Sequence, residues 1–417
     1  MKKSLIFAAT AAVVLSACAK VDTYKVSEQE AVSFGVYAGK AAATKAVSGT
    51  DYGTVTTASL QAAASNGFGV FGYYTDAANY ASNTKANFMY NQQVTYSGSA
   101  WTYNPVKYWP NEHGASAIST EVDKLTFLAY APFVANKDIA NDKGVSITDK
   151  AGTAAADEGI IAMTANNVAG DAVLTFKVPA SAEEQIDLLY GTLGAKSVNV
   201  DGVEEGTVGG AIENLTKEKT NGKINILFKH ALAKIAIDIK DVVDAIAPTT
   251  SVLGADTKVV VEKLTVKGTI GTDGKLNLYT GAWSDTASGA SFDVTPLPTD
   301  IYSGDTAPTA YPSVAGIDED GLDKTIDLMV VPATGAKITG VEITYYICTE
   351  DSQLDGGVSI VKNVISKDLG TAITIEKGKQ YGLNVLLGLT SIKLDATVKD
   401  WDDSAADTDV DLPKNVA

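Results

Sequence analysis

The 417-residue chain contains no arginine, only two cysteines (Cys18 and Cys348), two histidines (His113 and His230) and four methionines. Each scarcity excludes something. Two histidines far apart in sequence exclude an obvious zinc site or a Ser/His/Asp triad. Cys18 has a separate use, described below, so no internal disulfide can form in a mature chain. An exported protein without such staples relies on the size of its core, which this length permits. Cys348 lies in Val341-Glu342-Ile343-Thr344-Tyr345-Tyr346-Ile347-Cys348 and reads as an inert strand residue. The apolar run Leu5–Leu15 is too short to span a bilayer.

Basic charge is also short. Thirty-three lysines face 50 acids for a net charge of −17, and the part beyond Lys45 carries −20. Such a surface repels phosphate backbones and anionic membranes, which argues against nucleic-acid partners. With 45% hydrophobic and 20% charged residues the chain is globular. Its 37 glycines and its valine, threonine and tyrosine usage point to strands and turns.

The amino terminus is informative. Lys2-Lys3, the apolar run and Leu15-Ser16-Ala17-Cys18 form a lipoprotein signal over residues 1–17, cut before the cysteine. Only a thiol accepts the lipid, so Cys18 becomes an acylated N-terminus, and stable anchoring takes more than one chain. In the next segment, residues 18–45, Val32, Phe34 and Val36 alternate with Ser33, Gly35 and Tyr37 as in a half-buried strand.

Strands then follow at Phe68–Tyr74, Phe88–Tyr96, Trp101–Trp109, Leu125–Tyr130, Ile160–Thr164 and Val173–Val178, separated by turn residues. The Gly, Glu and Thr-rich stretch from Gly191 to Lys223 is the best boundary, dividing β-sandwich domains at 46–215 and 216–417. A second series runs through Ile224–Lys240, Val259–Val266, Leu276–Tyr279, Ile326–Val331, Val341–Cys348, Ala372–Ile375, Tyr381–Leu389 and Ile392–Trp401. Gly271-Thr272-Asp273-Gly274-Lys275 reads as an Asp-Gly hairpin, and Gly378-Lys379 as a turn feeding the Tyr381 strand. The Trp101, Tyr103, Tyr108 and Trp109 cluster reads as core aromatics rather than a glycan platform. His230 reads as a satisfied strand-edge residue. Asp318-Glu319-Asp320-Gly321 and Asp407-x-Asp409-x-Asp411 do not match a twelve-residue calcium loop. No metal or cofactor is expected, and no catalytic residue.

Several motifs, in order, resemble the fimbrillin family, the type V pilus subunits of Bacteroidales. They are Tyr108-Trp109-Pro110, Leu125 to Pro132, Asp187-Leu188-Leu189-Tyr190, Phe228 to Ile235, Leu328 to Pro332, Gly378 to Val385 and Val398-Lys399-Asp400-Trp401. The resemblance implies two tandem transthyretin-like β-sandwich domains and delivery to the outer membrane as a lipoprotein. It also implies proteolytic loss of the Val32, Phe34 and Val36 strand, and polymerisation by strand exchange with other copies and other fimbrial subunits. Without arginine, cleavage falls between Lys45 and Ala46, with Lys40 as second choice. The tail places Val410, Leu412 and Val416 on one face as a donor strand, interrupted by Pro413. The rival reading is a tip adhesin, an anchor or a non-polymerising surface lipoprotein that binds glycan or host protein.

Overall fold

The computed structural model describes residues 30–38, 57–61, 66–110, 123–135, 158–182, 185, 187–194, 197–198, 204–205, 208–220, 223–241, 257–294, 325–355, 357–387 and 392–401. Cys18, Lys40, Lys45, Ala46, His113, Val410, Leu412, Val416 and both acidic loops lie outside these residues.

The chain is all-β. Its first strands are β1 (Ser33–Ala38), β2 (Phe68–Tyr74), β3 (Met89–Tyr96), β4 (Trp101–Thr102), β5 (Leu125–Ala131), β6 (Gly159–Met163) and β7 (Val173–Lys177). The next are β8 (Leu189–Leu193), β9 (Ser197–Val198), β10 (Glu204–Glu205), β11 (Ile212–Leu215), β12 (Lys223–His230) and β13 (Ala233–Asp241). The last are β14 (Thr257–Asn277), β15 (Trp283–Asp293), β16 (Thr325–Val330), β17 (Lys337–Glu350), β18 (Val358–Thr374), β19 (Lys379–Leu387) and β20 (Ile392–Asp400). Among the described residues the helices, Thr57–Gln61 and Lys217–Thr220, are single turns.

Among the described residues three main sheets result, with β9 and β10 forming a separate two-residue ribbon. The first has the order β1-β12-β8-β5-β2-β3-β4, with β11 on β5. The second is β16-β13-β19-β20, and the third is β18-β17-β14-β7-β6 with β15 on β14. Hydrogen bonding crosses residue 215 in both directions: β12 pairs with β8, and β7 pairs with β14.

Among the described residues three large cores explain the strand patterns. Phe34, Phe68, Phe127, Phe228 and Trp101 fill the first, all from strands of the first sheet. Phe71, Tyr130, Leu174, Phe176, Leu276 and Met329 fill another, joining that sheet to the other two. Ile235, Leu264, Ile338, Ile343, Tyr381 and Leu383 belong to the third. β2 and β5 bury both faces, so they are nearly continuously apolar. β12 and β19 alternate, as one-sided strands do.

Three expectations need correction. The Ile224–Lys240 run is two strands in different sheets, β12 and β13. The break at Ala231-Leu232 is fixed by the Ala231 N–H donating to Leu188 O and the Gly378 N–H donating to Leu232 O. Gly271–Lys275 is no hairpin but lies inside the 21-residue β14. There a Cβ on Gly271 would meet Val331 O at 1.9 Å, so glycine permits a close backbone approach rather than a turn. The Trp101–Trp109 stretch is strand only at its first two residues. Trp101 and Trp109 are buried as expected, but Tyr108 is exposed.

Candidate functional site

β1 occupies an edge of the first sheet and is gripped on both sides. It runs parallel to β12, with Ser33 opposite Lys223, Phe34 opposite Ile224, Val36 opposite Ile226 and Ala38 opposite Phe228. Its N-terminal end turns to the 103–109 segment. Val32 N–H donates to Lys107 O at 2.9 Å, Trp109 N–H donates to Glu30 O at 3.0 Å, and Ala31 bridges Tyr108 in antiparallel sense. The Tyr103 hydroxyl donates to Val32 O at 2.8 Å. Burial pushes the Tyr103 pKa up, so the phenol keeps its proton for that bond. Lys217 Nζ lies 3.5 Å from Glu30 Oε2, a partly exposed pair of little energetic weight.

The alternation foreseen for Val32, Phe34 and Val36 is present. Val32 and Phe34 are 2% and 3% exposed, and Val36 is half-buried against the same core. Phe34 is the centre of an aromatic nest, with edge contacts to Phe68, Phe127 and Tyr103 at 6.0, 5.9 and 5.7 Å between ring centroids. Full burial of Val32 and Phe34 contributes about 1.5–3 kcal/mol each. Gly35 passes close to β12, where a Cβ would come 2.6 Å from Asn225 Oδ1 and 2.7 Å from Lys223 Cε.

Taking β1 away would expose the outer edge of β12, the Lys107 carbonyl and an apolar floor of Phe68, Phe127 and Phe228. Unpaired backbone beside an apolar floor is a template for another strand. The sequence signalled the strand itself but not its neighbours: β12 lies about 190 residues downstream, and the 103–109 contact has no periodicity to reveal it.

The described residues contain no group of three or more His, Cys, Asp and Glu that could hold a metal. Cys348 is buried on β17, and burial raises its thiol pKa, which suits an unreactive strand residue.

Residues 208–401 match a family model described as fimbrillin-like. Over this stretch the chain is similar to the fimbrillin-like family. The family consists of structural, non-enzymatic proteins. The chain is also 24% identical over 392 residues to fimbrium subunit Fim1C of Phocaeicola vulgatus, covering 86% of this chain and 87% of that protein. Its fold is similar to the crystal structure of a fimbrial protein from Bacteroides vulgatus, with a TM-score of 0.60 at 22% identity. That similarity covers 89% of this chain and 99% of the other.

Proposed function

We propose that the chain is a structural subunit of a type V fimbria that polymerises by protease-triggered donor-strand exchange. In this reading Cys18 carries the lipid that delivers the precursor to the outer membrane. A cut after Lys45, or after Lys40, then frees the segment holding Val32, Phe34 and Val36. The two transthyretin-like domains, 46–215 and 216–417, assemble with other copies and other fimbrial subunits into an extracellular fimbrium that supports adhesion. The tail supplies Val410, Leu412 and Val416 as the donor strand.

The observation that carries this reading is the position of β1. An edge strand with Val32 and Phe34 in the core, and with backbone partners on both sides, is covalently tied only through its ends. Its loss leaves a slot shaped for an extended chain. A head-to-tail contact of this kind does not close on itself, so it propagates as a filament.

Filaments sheared from the cell surface test the reading. Their first residue should be Ala46, and they should form a denaturation-resistant ladder on a gel. A chain that begins at Cys18 in sheared polymer would show that β1 stays in place. Deletion of residues 405–417 should abolish the ladder and leave a folded monomer.

A further inference from the structure

Four of the sequence motifs converge on one point. Asp187 comes from Asp187–Tyr190, His230 from Phe228–Ile235, Gly378 from Gly378–Val385 and Trp401 from Val398–Trp401. His230 Nδ1 lies 2.5 Å from Oδ2 of Asp187, whose side chain is fully buried. The other face of that contact is an aromatic stack: the His230 and Trp401 rings are 3.9 Å apart and 3° from parallel. Trp401 N–H donates to Gly378 O at 3.0 Å, and Gly378 N–H donates to Leu232 O at 2.9 Å. Beside them Lys377 Nζ sits 4.6 Å above the Tyr190 ring.

The location matters. His230 ends β12, the strand against which β1 lies, and it stands two residues beyond Phe228, the partner of Ala38. Trp401 is the last described residue before the tail. We infer that the Asp187–His230–Trp401 stack is a mooring for the C-terminal tail. It fixes where residues 402–417 leave the subunit, so that they are offered to another copy. The inference rests on the donor-strand reading above.

Direction supports donation in trans. A strand that replaces β1 in the same sense must enter at the Ser33 end and run towards Ala38. From His230 back to the level of Val32 is about 27 Å at ~3.3 Å per residue. The nine steps from Trp401 to Val410 reach about 30 Å fully extended. To enter its own slot in that sense, a strand rooted at the His230 end would first have to run the slot's length and then reverse, a path that a neighbour's slot does not impose. A moored root therefore disfavours self-filling and holds the tail ready for a neighbour, which lowers the ordering cost of association.

The test uses the full chain cut with a lysine-specific protease, comparing wild type, Trp401→Ala, Trp401→Phe and His230→Ala. Two rates are followed: polymer growth, and uptake of a labelled peptide of residues 30–38 into the emptied slot. Trp401→Ala and His230→Ala should slow polymer growth about five- to tenfold while peptide uptake stays at the wild-type rate, and Trp401→Phe should restore most of the growth. Wild-type growth in Trp401→Ala overturns the mooring and spares the donor-strand reading. Equal loss of growth and of peptide uptake also overturns it, because a general folding defect then accounts for both. If wild type itself forms no polymer under any cut, the donor-strand reading falls and the mooring falls with it.

Discussion

Gly35 of β1 and Asn225 of β12 are directly paired, and a Cβ at Gly35 would stand 2.6 Å from Asn225 Oδ1. The sequence alternation around Phe34 explains why the strand faces inward; the glycine explains how it lies so close to its neighbour. Asn225 Oδ1 and Lys223 Cε are both the far ends of flexible side chains, so Gly35→Val should turn Asn225 and Lys223 aside and loosen β1 by about 1 kcal/mol, the low end of the cost of overpacking. Asn225→Ala in the same chain should recover part of that loss, the rest belonging to Lys223. Denaturant midpoints of the two single variants and the double variant measure it, and additive losses would refute the contact as the cause.

Phe34→Ala removes the ring that touches Phe68, Phe127 and Tyr103. A buried phenylalanine replaced by alanine costs about 3–5 kcal/mol. Because β1 is an edge strand, the loss should appear first as local opening. The 30–38 segment should exchange its amide hydrogens faster, while β14 and β17 keep their protection. Uniform acceleration across the chain would mean that β1 does not open as a separate unit.

Much of this was legible in the sequence, and the failures have physical causes. Strict alternation in β12 and β19 comes from one buried face, and it reads directly. The strand at Val32, Phe34 and Val36 was visible for the same reason. β15, with the sequence WSDTASGASFD, was not visible, because its mostly small, polar side chains are largely exposed and nothing repeats at period two. Most of β18 was hidden likewise. The single run at Ile224–Lys240 hid a change of sheet because both halves are apolar in alternate positions, and only hydrogen bonds to Leu188 and Gly378 separate them. The stack of His230 on Trp401 joins residues 171 positions apart, beyond the reach of any local pattern.

Gly281 makes a separate demand on the core that joins the sheets. Its φ is +65°, and a Cβ there would fall 2.3 Å from the Tyr190 ring. Lys377 also donates to Gly281 O and lies over the same ring. Gly281→Ala therefore combines left-handed strain with a clash against a nearly buried tyrosine. A loss of about 2 kcal/mol or more is expected from such a combination, read as a fall in melting temperature. Gly335→Ala is the control, since Gly335 also has positive φ but a Cβ there would meet nothing within 4 Å. Its loss should be confined to the backbone strain, about 1 kcal/mol. Equal losses in the two variants would remove Tyr190 from the account.

Alkaline pH should weaken the fold through its tyrosines. The hydrogen bond to Glu213, followed by burial, pushes the Tyr279 phenol up to about 12, and the hydroxyl lies 2.6 Å from Glu213 Oε2. Burial raises Tyr130, whose hydroxyl donates to Asn91 Oδ1 at 2.7 Å, and it also raises Tyr103 and Tyr381. In each case the folded state holds the proton more tightly than the unfolded chain, whose phenols titrate near 10. The stabilisation is therefore complete below pH 10 and is lost as pH rises through the raised folded values. Urea midpoints should stay level on this account up to about pH 10 and fall between pH 10 and 12. Lysine deprotonation acts in the same window, so Tyr279→Phe separates the contributions: it should lower the midpoint at pH 8 and flatten the decline above pH 10. A decline of unchanged steepness in that variant would show that Tyr279 does not carry its share.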